Sequence, residues 1–226
     1  NQIIPGSPLP PAVQPSSTHS THSTPYPPPS WILRDEDDLM PVDRLHDKVD
    51  RLLVDVLQSH IESLGLDASV GSNIAVRWDE KHKNVGSDPD LYWQEPALPD
   101  DQTSILTWEG KPPPKLVIEI VSQDTADCDY LENPAIYQAA GVLEFWILDL
   151  KHLGPALDSS GHKIDKRTLR RKGPKKPVAF GPYSLQVYSR DNQGGWSRSY
   201  AGEGPAFSPF FNAWVIVRNN RVRLSH

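Results

Sequence analysis

Lys115-Leu-Val-Ile-Glu-Ile-Val-Ser122 is the stretch that decides the fold. Side chains alternate along a strand, so Leu116, Ile118 and Ile120 share one face and Val117, Glu119 and Val121 the other. Both faces are apolar, which predicts a strand inside a sheet that is covered on both sides. One carboxylate, Glu119, interrupts the pattern. An ionised acid in such a place is costly unless it meets a metal, a cation or several hydrogen-bond donors. Identifying what neutralises Glu119 is therefore most of the functional question.

Working outward, Leu143-Glu-Phe-Trp-Ile-Leu-Asp149 reads as a second buried strand. Between the two lies Asn133-Pro-Ala-Ile-Tyr-Gln-Ala-Ala-Gly141, a short helix with conventional punctuation. Asn133 is expected to cap it, Pro134 to take the first helical position and Gly141 to close it. Upstream, Val42, Leu45, Val49, Leu52, Leu53, Val56, Leu57 and Leu64 follow the spacing of an amphipathic helix running from Pro41 to Gly65. Residues 70–79 are expected as one strand, and another begins near Asp90-Leu-Tyr-Trp93. Further strands are expected at Tyr183–Ser189, Trp196–Tyr200 and Trp214–Leu224. Together these predict an α/β fold with a mixed central sheet flanked by helices and with additional C-terminal strands. Trp78, Trp93, Trp108, Trp146 and Trp214 read as core aromatics.

Residues 1–30 are rich in Pro, Ser, Thr and His and cannot bury enough apolar area to offset their ordering entropy. They read as a disordered arm preceding one domain at 31–226. A single cysteine, Cys128, excludes an internal disulfide and fits a reducing compartment. Nothing approaches the roughly 20 apolar residues of a membrane span, so a soluble, cytoplasmic domain is expected.

The net charge of −6 conceals a division. Residues 1–150 carry 9 Lys+Arg against 25 Asp+Glu, whereas residues 151–226 carry 14 against 4. Much of the basic excess lies between Lys163 and Lys176, within a loop expected at about 151–182: Lys163, Lys166, Arg167, Arg170, Arg171, Lys172, Lys175 and Lys176, opposed in that stretch only by Asp165. Such a segment fits a nucleic-acid contact or a solvated loop that balances the acidic half. Pairing of the two halves between subunits, giving a homodimer, is a third use.

Asp88-Pro89-Asp90 at the start of one strand and Glu119 within its neighbour can converge at one end of a sheet. Two carboxylates close together repel, and a divalent cation relieves both. Hard oxygen ligands without a Cys or His cluster favour Mg²⁺ or Mn²⁺. By contrast, Asp149 reads as a turn former, Cys128 has no activating neighbour, and His46 reads as a packed histidine at the edge of the first helix.

The run Asp90-Leu-Tyr-Trp93, KLVIEIVS, Asn133 to Gly141 and Glu144 to Asp149 resembles the Uma-type restriction endonuclease family, within the PD-(D/E)xK nuclease superfamily. It is similar to that family's PD, its E-x-x-S strand, its K-P-x-x-Y-x-x-x-G-V helix and its E-Y-W-x-x-D strand, over roughly residues 31–224. Asp37-Asp-Leu-Met-Pro41 followed by His46 resembles the D-G-x-P-M segment of a bacterial branch. The resemblance implies a restriction-endonuclease-like fold and Mg²⁺-dependent hydrolysis of DNA. It implies Asp90, Glu119 and the backbone carbonyl of Ile120 as metal ligands and Ser122 as a brace of the strand end; Asp88, read from the residues themselves, fits either a metal ligand beside Asp90 or a turn former before Pro89. The family lysine is replaced by Asn133, which supplies no positive charge. Two functions follow: an active endonuclease, or a degenerate relative that binds nucleic acid or a partner protein without cutting.

Overall fold

The computed structural model describes residues 45–83, 85–157, 163, 182–191, 194–218 and 221–225. The N-terminal arm, Pro41 and all of the basic segment except Lys163 lie outside the described residues. Helix α1 (Leu45–Leu64) buries Leu45, Val49, Leu53, Leu57 and Ile61, one residue per turn. Leu52 and Val56, expected in the stripe, stay on the outer flank. Gly65 closes the helix at φ 61°, its N–H donating to the Glu62 carbonyl while Leu66 N–H donates to Ile61. This paired arrangement needs the left-handed backbone that glycine adopts without strain.

Among the described residues, twelve strands follow. They are β1 (Ser69–Ser72), β2 (Ala75–Arg77), β3 (Gly86–Ser87), β4 (Leu91–Gln94), β5 (Ser104–Leu106), β6 (Leu116–Ile120), β7 (Glu144–Leu148), β8 (Leu185–Arg190), β9 (Trp196–Gly202), β10 (Ala206–Ser208), β11 (Ala213–Arg218) and β12 (Arg221–Ser225). Helices α2 (Ala126–Leu131) and α3 (Asn133–Ala140) form the crossover between β6 and β7. The central sheet runs β1-β4-β6-β7-β8-β9. Only β6 and β7 pair in parallel; its other ladders are antiparallel. The fold is thus mixed α/β, as expected.

Every residue of β6 is buried, and the two-sided reading of this strand holds. Leu116, Ile118 and Ile120 pack in a core with α1 and with residues of β10–β12. Val117 and Val121 pack in a second core with Tyr130 of α2, Tyr137 of α3 and Phe145. Burying an aliphatic side chain of this size is worth roughly 1.5–3 kcal/mol, so β6 has ample means to hold one costly polar group.

The expected single strand at 70–79 is two strands in different sheets. Asn73, at φ 56°, turns the chain between β1 and β2, a left-handed conformation that Asn tolerates better than most residues. Strand β2 then pairs with β3 and β5 in a small separate sheet. Likewise, Trp214–Leu224 is the hairpin β11–β12.

Candidate active site

Glu119 sits near the carboxyl end of β6 and is 5% exposed. The antiparallel register pairs Leu91 with Ile118, and one step further sets Asp90 opposite Glu119. The two acids are joined through the backbone. Asp90 N–H donates to Glu119 Oε2 at 3.2 Å, and Ile120 N–H donates to Asp90 Oδ2 at 2.7 Å. Val121 N–H donates to Leu148 on the opposite side, toward β7. Because C=O and N–H of one planar trans peptide point in opposite directions, the Ile120 carbonyl faces the Asp90 side.

The crossover helices complete the surroundings. Tyr137 O–H donates to Glu119 Oε1 at 2.5 Å and is hydrogen-bonded to Ser87 Oγ at 2.8 Å. Asn133 Nδ2 donates to Glu119 Oε1 and to Asp129 Oδ1, each at 3.1 Å. Asp129, itself buried, accepts from Thr125 Oγ1 at 2.7 Å. Thr125 Oγ1 in turn lies 3.0 Å from Ser122 Oγ. Ser122 is thus hydrogen-bonded to Thr125, just before α2.

Among the described residues, Glu119 meets three uncharged donors and no cationic side chain. Burial pushes its carboxyl well above the usual range, and the negative charges of Asp90 and Asp129 push it further. Burial also raises Asp129 to about 6, with Asp90 adding to the effect. Cys128 is pushed up to about 11 by burial and by Glu132, Asp129 and Glu119, so its thiol is inert at neutral pH.

Two sequence expectations are corrected. Asn133 is not a cap: it is the first residue of α3, and its side-chain amide bonds Glu119 and Asp129 instead. The reason is that α2 runs almost directly into α3. Glu132 keeps helical backbone, and its carbonyl accepts from Ala135 and Ile136. Asn133 is thereby free to reach back to the sheet. His46 is not a packed histidine: its side chain is 41% exposed, and Nε2 lies 3.2 Å from Asp90 Oδ2. That contact raises its pKa against the opposing effect of burial, so it favours the cation.

Asp88 turns elsewhere, pairing with Arg77 at 2.7 Å. Asp149 fixes a turn as expected, accepting from Tyr130 O–H and from the N–H groups of Leu153 and Gly154. Lys163, the described member of the basic segment, pairs with Asp127. The neighbours of this acidic cluster that sequence reasoning missed are Asp129, Tyr137, Thr125 and Ser87. Of these, only Tyr137 carried a signal, as the tyrosine of the helix motif.

Among the described residues, no group of three or more His, Cys, Asp or Glu side chains is arranged to hold a metal. The protein's available donors are two adjacent carboxylates and one carbonyl. That set suits Mg²⁺, which keeps several waters and is seldom enclosed in an all-protein cage. Crowding of Asp90, Asp129 and buried Glu119 gives a cation an electrostatic reason to be there.

Residues 32–209 match the family model Uma2, described as "Putative restriction endonuclease", and the chain belongs to that family. A solved structure, described as a "putative nuclease belonging to DUF820" from Anabaena variabilis ATCC 29413, matches with 13% identity and a TM-score of 0.45, covering 76% of each chain. No curated protein matches. No helix among the described residues is long and apolar enough to cross a membrane.

Proposed function

We propose that the protein is a Mg²⁺- or Mn²⁺-dependent endonuclease that hydrolyses DNA phosphodiester bonds in the cytoplasm. The observation that carries this reading is the direct linkage of Asp90 and Glu119 across β4 and β6. Asp90, Glu119 and the Ile120 carbonyl would hold the cation. Bound there, a divalent ion activates water and offsets charge on the phosphodiester. Asn133 and Tyr137 hold the Glu119 carboxylate, Ser122 and Thr125 steady the strand end through Asp129, and His46 Nε2 lies against Asp90 Oδ2. Lys166, Arg167, Arg170, Arg171, Lys172, Lys175 and Lys176, with Lys163, would contact phosphates, which gives affinity without sequence choice.

A second reading rests on Asn133. Its amide is committed to Glu119 and Asp129 and brings no charge, so the electrostatic aid that a lysine gives the transition state is missing. A non-cutting nucleic-acid binder follows from that loss.

One experiment separates the two: calorimetric titration of Mg²⁺ and Mn²⁺ into wild type and Glu119→Ala, followed by plasmid incubation of the same samples. Cation binding and nicking that both vanish in the variant support the nuclease. Cation binding without nicking in wild type supports the binder. Absence of cation binding in wild type removes both the ligand assignment and the nuclease.

A further inference from the structure

Counting lone pairs on the two strand-end acids shows an asymmetry that the ligand assignment alone does not explain. A carboxylate has about four acceptor positions, two on each oxygen. Glu119 Oε1 receives two donors, Tyr137 O–H and Asn133 Nδ2. Oε2 receives one, the Asp90 N–H. Asp90 Oδ2 is taken up by Ile120 N–H and His46, whereas Asp90 Oδ1 has no hydrogen-bond partner among the described residues. Each acid thus has one committed oxygen and one with acceptor capacity left, and in Glu119 that oxygen is the one bound to Asp90.

We propose that Tyr137 is a positioning residue that decides which oxygen of Glu119 is offered to the cation. Its hydroxyl holds Oε1, and its other hydrogen-bond partner, Ser87, lies three residues before Asp90. Both oxygens of Glu119 are therefore tied to the same β3–β4 segment, Oε2 directly through Asp90 N–H and Oε1 through Tyr137 and Ser87. Rotation of the carboxyl group must break one tie or the other. Asn133 alone does not provide this reference, because its amide ties Oε1 to Asp129 on α2 instead. The tyrosine ring is seated against Phe145, with centroids 4.8 Å apart, so the hydroxyl is held by packing as well as by its hydrogen bonds. Partners that orient a ligand in this way typically contribute 10–100-fold to metal affinity.

The inference rests on the cation reading of Asp90 and Glu119, and its test keeps the two apart. Mn²⁺ is titrated calorimetrically into full-length wild type, Tyr137→Phe, Ser87→Ala and Tyr130→Phe, with urea unfolding measured on the cation-free samples. Tyr130 is the control: it is a buried phenol of the same helical layer whose hydroxyl serves Asp149. The expected result is about tenfold weaker Mn²⁺ binding in Tyr137→Phe, a smaller loss in Ser87→Ala, and none in Tyr130→Phe whatever its stability. The bound Mn²⁺ of Tyr137→Phe should also give a changed electron paramagnetic resonance spectrum. Equal affinity in wild type and Tyr137→Phe overturns the positioning role and leaves the ligands standing. An equal loss in Tyr130→Phe reduces the effect to general loosening of the layer, and also overturns it. A wild type that binds no Mn²⁺ overturns the ligand reading itself.

Discussion

Glu119 and Glu144 sit on the two parallel strands at the centre of the sheet, β6 and β7, and both are almost completely buried. Burial pushes both carboxyl groups upward. Their surroundings differ. Glu144 Oε1 accepts from Trp146 Nε1 and Ser208 Oγ, each at 2.6 Å, and Phe210 N–H adds a third bond. Burial raises it and these bonds oppose the rise. It ties β7 to the C-terminal strand β10 and has the character of a structural acid. Glu119 also has its donors, but Asp90 and Asp129 press on it as like charges. Both acids are expensive to bury; Glu119 is in addition crowded by other acids, which is what the proposed cation site calls for. The carboxyl end of β6, where Glu119 lies, is also the end beyond which ligands gather in α/β sheets.

The strongest way to break this contrast is to remove the charge from each acid separately. Glu119→Gln keeps the size of the side chain but weakens cation binding, and plasmid nicking should fall about a thousandfold or more. Glu144→Gln should leave nicking per folded molecule within about twofold. Comparable losses in both variants would show that the two acids are not distinguished by their surroundings.

Stability should separate them in the opposite sense. Glu144→Ala strips the acceptor from Trp146, Ser208 and Phe210 N–H and is expected to cost about 3 kcal/mol in urea unfolding. Cation-free Glu119→Gln should lose less, or gain, because repulsion from Asp90 and Asp129 is relieved. A Glu119→Gln variant destabilised as strongly as Glu144→Ala would mean that the donors, not the crowding, dominate at Glu119.

The pH dependence sharpens the same point. Asp129 is raised from an ordinary 3.8 to about 6 in the folded protein. Between those values the folded state binds the proton that the unfolded chain has lost, so stability is greatest at the acid end and falls as pH rises through about 6. The loss attributable to Asp129 is roughly 2–3 kcal/mol. Glu119, shifted in the same direction, adds to it. In Asp129→Asn, the fall between pH 4 and 6 should shrink by that amount, measured by urea unfolding without divalent cation. Parallel profiles for wild type and Asp129→Asn would remove Asp129 from the cluster's energetics.

How much of this was legible depended on whether a feature is local. The two apolar faces of β6 and the closing glycines at 65 and 141 are local properties of the chain and appear as read, whereas the apolar stripe of α1 is narrower than its spacing suggested, with Leu52, Val56 and Leu64 exposed. The Asp90–Glu119 pairing was legible because alternation and strand order suffice to oppose them. Asp129 could not be found, since its proximity to Glu119 arises from the packing of α2 and α3 on β6. Asn133 looked like a cap because sequence does not reveal that α2 continues almost unbroken into α3. The small sheet β2, β3 and β5 has strands of two or three residues, too short to show any period.

The smallest expected effect tests the acid nearest to Asp90 in sequence. Asp88 and Asp90 flank one proline, and sequence alone gives either a claim on a cation. In the folded chain Asp88 is largely exposed and paired with Arg77, whose guanidinium also donates to the Val76 and Ser87 carbonyls. Exposed pairs of this kind contribute about 0–1 kcal/mol. Asp88→Ala should therefore cost less than about 1 kcal/mol, diminishing with added salt, and should leave Mn²⁺ affinity unchanged. The carbonyl contacts keep Arg77 in place without its acid, so Ser87 and the segment leading to Asp90 hold their position. A marked loss of Mn²⁺ binding in Asp88→Ala would bring Asp88 into the cation's reach and dissolve the distinction between these two aspartates.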